Sequence, residues 1–366
     1  MRRAARSSAL LLALSSASLG CGDAGVDESA TQASSDATSG VASTGEDATS
    51  ETATTGASAG WAVSLSLGPP DGALLSVWGR TSADVYAVGG QPAFGDDDGF
   101  GRAFHFDGEA WEPVLVPDAT PRLNWVHGTA TRVWTVGERG VILSRAPEDA
   151  DWSAESSGTT QTLWGVWGPS DDELWAVGGD GVSGVPTLLR RQAGAWADDA
   201  LPAIEGDSKG LFKVWGSGVD DIHVVGDLGV QLHRDGETWT QQANESIADL
   251  ISVWGHGAGD AIAVGGRSSA RLSRWDGAGW TGMTLTGEPG LSGVWVDADG
   301  VATVVGAQGT IWRLAPGGFS PEPEDSPTMH FLHAVTGFAD GVRVAVGGSL
   351  LGPPPHVGVA LVYTPG

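Results

Sequence analysis

Between residues 61 and 366 apolar positions fall into short runs that alternate with polar ones. The runs end at glycine or at an Asp-Gly pair, as in "DVYAVGG", "ELWAVGG" and "VQLHRDGETW". Alternation with a period of two is the pattern of a half-buried strand, and the glycines supply the turns. No stretch sustains the 3.6-residue period of a helix. The runs also repeat. The tryptophan of a Val-Trp-Gly segment heads a column filled by Trp78, His127, Trp167, Trp215, Trp254, Trp295 and Thr336, at steps of 39 to 49 residues. A glycine follows ten or eleven residues later in every unit, at Gly89, Gly137, Gly178, Gly226, Gly265, Gly306 and Gly347. An aromatic opens the last segment of six units, at Trp111, Trp152, Trp196, Trp239, Trp280 and Phe319.

Each unit therefore reads as four short antiparallel strands. Four strands repeated every 40 to 50 residues or so predict the blades of a β-propeller. The seven units give an all-β fold, a seven-bladed β-propeller over residues 61–366. The seventh unit ends at "VGVALVYTPG" without a Trp-led fourth strand, whereas "GWAVSLSLG", opened by Trp61, fits that column at the other end of the domain. The ring is expected to close with Trp61 to Leu67 completing the last blade, which removes an open sheet edge.

Two segments precede the repeats. Residues 1–21 begin with Arg2, Arg3 and Arg6, pass through the apolar run from Ala9 to Leu14, and end in small residues. That is the layout of a secretory signal peptide. The approach to Gly20-Cys21 resembles a bacterial lipoprotein signal, which implies lipidation of Cys21 and a place at the cell envelope, in the outer membrane or at the cell surface. Ser18 stands where that family prefers Leu, and cleavage near Ser18 without lipidation is the alternative. Residues 22–60 are almost all Ser, Thr, Ala, Gly, Asp and Glu, with no aromatic residue. They bury too little apolar area to offset ordering entropy and are expected to be a disordered tether. A coil of about 40 residues reaches roughly 35 Å.

Charge narrows the partners. Forty-five Asp and Glu stand against 19 Lys and Arg, a formal net charge of −26. Such a chain repels nucleic-acid phosphates and anionic headgroups, so nucleic acid is an excluded partner and membrane contact falls to the lipid anchor. Cys21 is the one cysteine, so no intramolecular disulfide framework exists.

The stretch "VYAVGGQPAFGDDDGFGRAFHFDGEAWEPV" resembles a kelch repeat in its paired glycines, third-strand aromatics and following tryptophan. The turns "HRDGETW" and "RWDGAGW" resemble degenerate Asp-boxes of sialidase-like propellers, with Gly236 and Gly277 directly after Asp235 and Asp276 rather than one residue on. Both resemblances imply the propeller fold and give these residues structural roles.

The repeat columns themselves are expected to be packing, as are Tyr86, Trp134 and Trp175 in the second strands. Asp84, Asp172, Asp221 and Asp260 are expected to cap the turns between first and second strands. Loops joining second to third strands, and those joining blades, vary in length and share one face, where binding is expected. The loop from Gln91 to Arg102 puts Phe94, Phe100 and Arg102 there. Trp125, Trp164, Phe212, Lys213 and His333 lie outside the aromatic columns near the starts of inner strands, as candidate lining of the channel mouth. Asp96, Asp97 and Asp98 offer oxygen ligands for Ca²⁺, but consecutive carboxylates fit that ion poorly and a solvated acidic loop is the plainer reading. No other cofactor is implied.

These features suggest a binding or scaffolding module for a protein or a glycan. A diverged glycan-acting enzyme of sialidase or lyase type and a purely architectural surface protein are the rivals. A sialidase-like site wants clustered arginines and a tyrosine nucleophile, yet the chain has two tyrosines and scattered arginines. A copper oxidase of the galactose-oxidase kind wants a Cys-Tyr crosslink, and the cysteine lies in the signal. His330 and His333 are the close histidine pair, with Asp325 the nearest carboxylate in sequence.

Overall fold

The computed structural model describes residues 59–149, 151–179, 184–243 and 246–366. The signal peptide, Cys21 and the tether up to residue 58 lie outside the described residues. Within them, 28 strands form seven four-stranded antiparallel sheets. The inner strands, which number the blades 1 to 7, are Ala73–Thr81, Leu123–Gly128, Leu163–Ser170, Leu211–Gly218, Leu250–Gly257, Leu291–Val296 and Phe331–Gly337. They pack side by side around the ring, blade 7 against blade 1 included. The seven-bladed propeller expected from the repeats is the observed fold.

Closure also follows the expectation. The strand Gly60–Leu67 pairs with Gly358–Thr364 and completes the sheet of blade 7, beginning one residue before Trp61.

The repeat columns acquire physical reasons. In the first column, the indoles of four of the five tryptophans lie on the glycine of the next blade: Trp78 on Gly128, Trp167 on Gly216, Trp215 on Gly255 and Trp295 on Gly337. Burying one indole this way removes enough apolar area for about 4 kcal/mol of transfer free energy. His127 holds the same place in blade 2, its Nε2 3.0 Å from the Gly168 carbonyl of blade 3. Four of the tryptophans that open outer strands reach back to the preceding blade. Trp61 donates its indole N–H to Glu324 (2.7 Å), Trp111 to Ser64 (3.1 Å), Trp196 to Glu155 (2.9 Å) and Trp239 to Asp199 (3.2 Å).

The acids at the starts of second strands do not cap turns as expected. Asp84 binds Arg80 (2.8 Å) and His105 (2.9 Å), and Asp221 binds His233 (2.8 Å). In blade 3 the place belongs to Glu173, not Asp172, and Glu173 binds Arg190 at 2.8 Å. The reason is register. The base on the third strand stands opposite the residue two places after the acid, so both side chains share a sheet face. Aspartates other than these cap turns: Asp297 and Asp340 do so between first and second strands of blades 6 and 7, and others between third and fourth strands. There Asp107 accepts the N–H groups of Glu109 and Ala110, and Asp276 those of Ala278 and Gly279.

Candidate functional site

Every inner strand carries one β-bulge near its start. In each blade the leucine opposite the column glycine, from Leu74 facing Gly89 to Leu332 facing Gly347, is followed by one extra residue before pairing resumes. A bulge re-aims a side chain. Here the extra residues are Leu75, Asn124, Trp164, Phe212, Ile251, Ser292 and His333, and all seven line one central cavity of about 550 Å³. No two are alike, although the columns on either side repeat.

The next position along is small in five blades: Ser76, Gly165, Ser252, Gly293 and Ala334. Blades 2 and 4 depart from this with Trp125 and Lys213. Gly165 of the intervening blade contributes no side chain there, and the Lys213 ammonium sits 4.1 Å from the centre of the Trp125 ring. It donates to the Trp164 carbonyl at 2.7 Å. Burial pushes the Lys213 pKa down to about 7. Burial, with the charges of Lys213 and Arg122 nearby, pushes His333 down to about 3, so its imidazole is neutral at physiological pH. Arg122 pairs with Glu138 at 2.9 Å, and Arg267 at the mouth pairs with Asp249 at 2.6 Å.

A second hollow of about 380 Å³ continues outward from the cavity over blades 5 to 7, past Arg267, Met329, His330 and Leu351. Exposed apolar residues are concentrated on this face. Of the ten exposed large hydrophobic residues among those described, seven lie in loops of this face. Phe94, Val185, Leu228 and Leu351 are in loops joining second to third strands; Leu115, Ile247 and Met329 are in connections between blades.

Trp164, Phe212, Lys213 and His333 therefore meet in the cavity as expected, with Trp125 behind Lys213. Sequence reading missed Leu75, Asn124, Ile251 and Ser292; the signal was the position after each inner-strand leucine. Phe94, Phe100 and Arg102 are elsewhere. Residues 100–102 belong to the third strand Phe100–Phe106, which shortens the expected loop to residues 92–99. Arg102 stacks on Phe100 at 4.2 Å and approaches Asp71 at 3.7 Å, away from the cavity lining. The acidic triplet divides its carboxylates. Asp97 accepts the Gly99 N–H at 2.9 Å and Asp98 pairs with Arg139 at 2.6 Å.

One group of three possible metal ligands occurs among the described residues, Asp221, His223 and His233, within 4.8 Å of one another. The imidazoles stack at 4.4 Å. Blades 1 and 3 carry the same arrangement as Asp84, Tyr86 and His105 and as Glu173, Trp175 and Arg190, with Tyr or Trp in place of the middle histidine. The group in blade 4 is thus a variant of a repeated structural pairing. Burial favours the carboxylic acid form of Asp221, but hydrogen bonds from His223, Ser217 and His233 outweigh it and hold the carboxyl well below its usual range.

Burial also lowers His127 to about 4 and depresses His223. Groups whose folded pKa is depressed bind fewer protons in the fold than in the unfolded chain over the interval between the two values. Stability is then fully present above about pH 6.5 and lost as pH falls toward 4. From about pH 6 to 4.5, His127 alone is expected to remove about 2 kcal/mol. Thermal midpoints across that interval check this, and a flat profile would show that these histidines charge as easily in the fold as outside it.

No family model and no curated protein sequence matches the chain. Solved structures do. The WD40 β-propeller domain of Doa1 is 12% identical, covering 84% of this chain and 98% of that one with a TM-score of 0.62. YCF48 bound to D1 peptide is 15% identical over 84% of this chain and 97% of that one, with a TM-score of 0.61. A catalytically inactive histidine-to-alanine variant of virginiamycin B lyase from Staphylococcus aureus, solved with Quinupristin, is 9% identical over 83% and 99%, with a TM-score of 0.65. At these identities the likeness is one of fold.

Proposed function

We propose that this chain is an exported, envelope-tethered propeller that binds a protein partner across its variable-loop face. The observation that carries the reading is the ring of seven unlike side chains set around the cavity on otherwise repeated blades. Variation confined to one ring of positions on a rigid scaffold is what recognition requires. Exposed Met329 and Leu351 line the outer hollow together, and apolar side chains presented at a groove favour a polypeptide over a glycan. Among propellers of similar fold, YCF48 has been solved with a peptide bound, which gives the reading a precedent at the level of architecture. Lipidation at Cys21 and the acidic tether would hold the domain off a membrane while leaving that face free.

Photo-crosslinking in the native envelope tests this. Benzoylphenylalanine at Leu351 or Met329 is expected to trap a discrete protein, and Leu351→Asp in the Met329 reporter is expected to reduce the adduct about tenfold, as for a central contact. The same reporter at Val219, in a turn of the opposite face, is expected to trap nothing. Equal labelling from both faces would overturn the proposal.

A further inference from the structure

We infer that the bound partner delivers a carboxylate into the central cavity, where it completes the charge of Lys213. This rests on the reading of the variable-loop face as a docking site. Lys213 is 3% exposed, and its ammonium has the Trp164 carbonyl and the Trp125 ring as neighbours. No carboxylate of the described residues lies within 4.0 Å of it, in a chain with 45 acidic residues. Five arginines of low exposure follow the other rule. Arg122 pairs with Glu138, Arg191 with Glu155, Arg234 with Asp220, Arg274 with Asp260 and Arg343 with Glu324.

An isolated buried charge is expensive unless paired, so a lysine kept this way at a cavity wall is a site short of an anion. Its surroundings fit one. Two of its three ammonium protons are available for charge-assisted bonds. His333 and Arg122 line the same cavity, and Nδ1 of the one and Nε of the other are buried without a hydrogen-bond partner. The charged groups that face the space are Arg122 with Glu138, Arg267 with Asp249, and neutral His333, a balance that leaves the Lys213 charge uncancelled. Trp125 and Trp164 flank the ammonium and report on its state.

The test uses succinate, the tripeptide acetyl-Gly-Gly-Leu and the C-terminal amide of that tripeptide, titrated against the full chain by tryptophan fluorescence. The acid tripeptide is expected to bind at least about tenfold more tightly than its amide near pH 6, and to weaken toward pH 9 as the ammonium loses its proton. Binding of succinate without the tripeptide would place the carboxylate on a free small acid and overturn delivery by a partner. Lys213→Met removes the charge at nearly constant volume. It is expected to abolish the acid preference while raising the unfolding midpoint near pH 6 by several degrees, which also certifies its fold. Equal affinity for acid and amide in the native protein, or an acid preference kept in Lys213→Met, would overturn the inference. Rim crosslinks that survive such a result leave the docking reading standing, whereas loss of those crosslinks from the native protein would remove the docking reading itself.

Discussion

Glu324→Ala is expected to destabilise the propeller by about 3 kcal/mol, measured by urea unfolding at neutral pH. Glu324 follows the outer strand of blade 6 and holds the closing strand of blade 7. One carboxylate oxygen takes the Trp61 indole N–H at 2.7 Å and Arg343 Nη1 at 2.8 Å; the other takes Nη2 at 2.9 Å. Arg343 is 3% exposed, lies 3.8 Å from the centre of the Tyr363 ring and donates to Thr303 at 3.2 Å. Removing the acid strands a buried guanidinium, and the cost comes mainly from that charge. Glu324→Gln should cost less because it keeps the acceptor shape for Trp61. Loss of under about 1 kcal/mol in the alanine variant would show that the seam stands without this cluster.

Gly178→Ala is expected to cost about 3 kcal/mol or more, enough to leave a marginal domain largely unfolded. The added methyl would overlap the Thr162 carbonyl oxygen, and Leu163 Cα and Cδ2 each lie 3.1 Å from it. The neighbours are backbone, so relief means moving the bulge that presents Trp164 to the cavity. Gly257→Ala is the control, since nothing lies within 4 Å of a methyl there, and it should be near neutral. Circular dichroism melts of the two variants decide the matter, and equal midpoints would show that the column glycines are dispensable.

Gly178 also shows how much was legible beforehand. Its column, with those of Trp78 and Trp111, was visible as spacing, and spacing alone yielded the blade count and the closing strand. The cause of the glycine was not visible, because it is a carbonyl brought close by a bulge, and a bulge leaves no mark in composition. The cavity was therefore half read. Trp164, Phe212, Lys213 and His333 stood out as large or charged residues in an otherwise regular place, whereas Leu75, Asn124, Ile251 and Ser292 look ordinary until the bulge turns them inward. Pairing of Asp221 with His233 was hidden for a related reason, since twelve residues of sequence separate partners that adjacent strands bring to one sheet face.

The loops joining second to third strands are unequal in a way that bears on how anything can lie on this face. They span residues 92–99, 179–186 and 349–357 in blades 1, 3 and 7, part of the second lying outside the described residues. In blades 2, 4 and 6 four residues suffice, 138–141, 227–230 and 307–310, each with a left-handed residue, Arg139, Leu228 or Gln308. Blades 7 and 1 are neighbours, and their long loops are tied together where Gln91 exchanges hydrogen bonds with the backbone of His356 at 2.8 Å each. Sevenfold equivalence is thereby lifted. The hollow that leaves the cavity runs beside blades 5 and 6 along the long loop of blade 7. In the docking proposed above, these unequal loops distinguish one approach to the cavity from the other six, and the hollow beside blade 7 leads a linear guest toward Lys213.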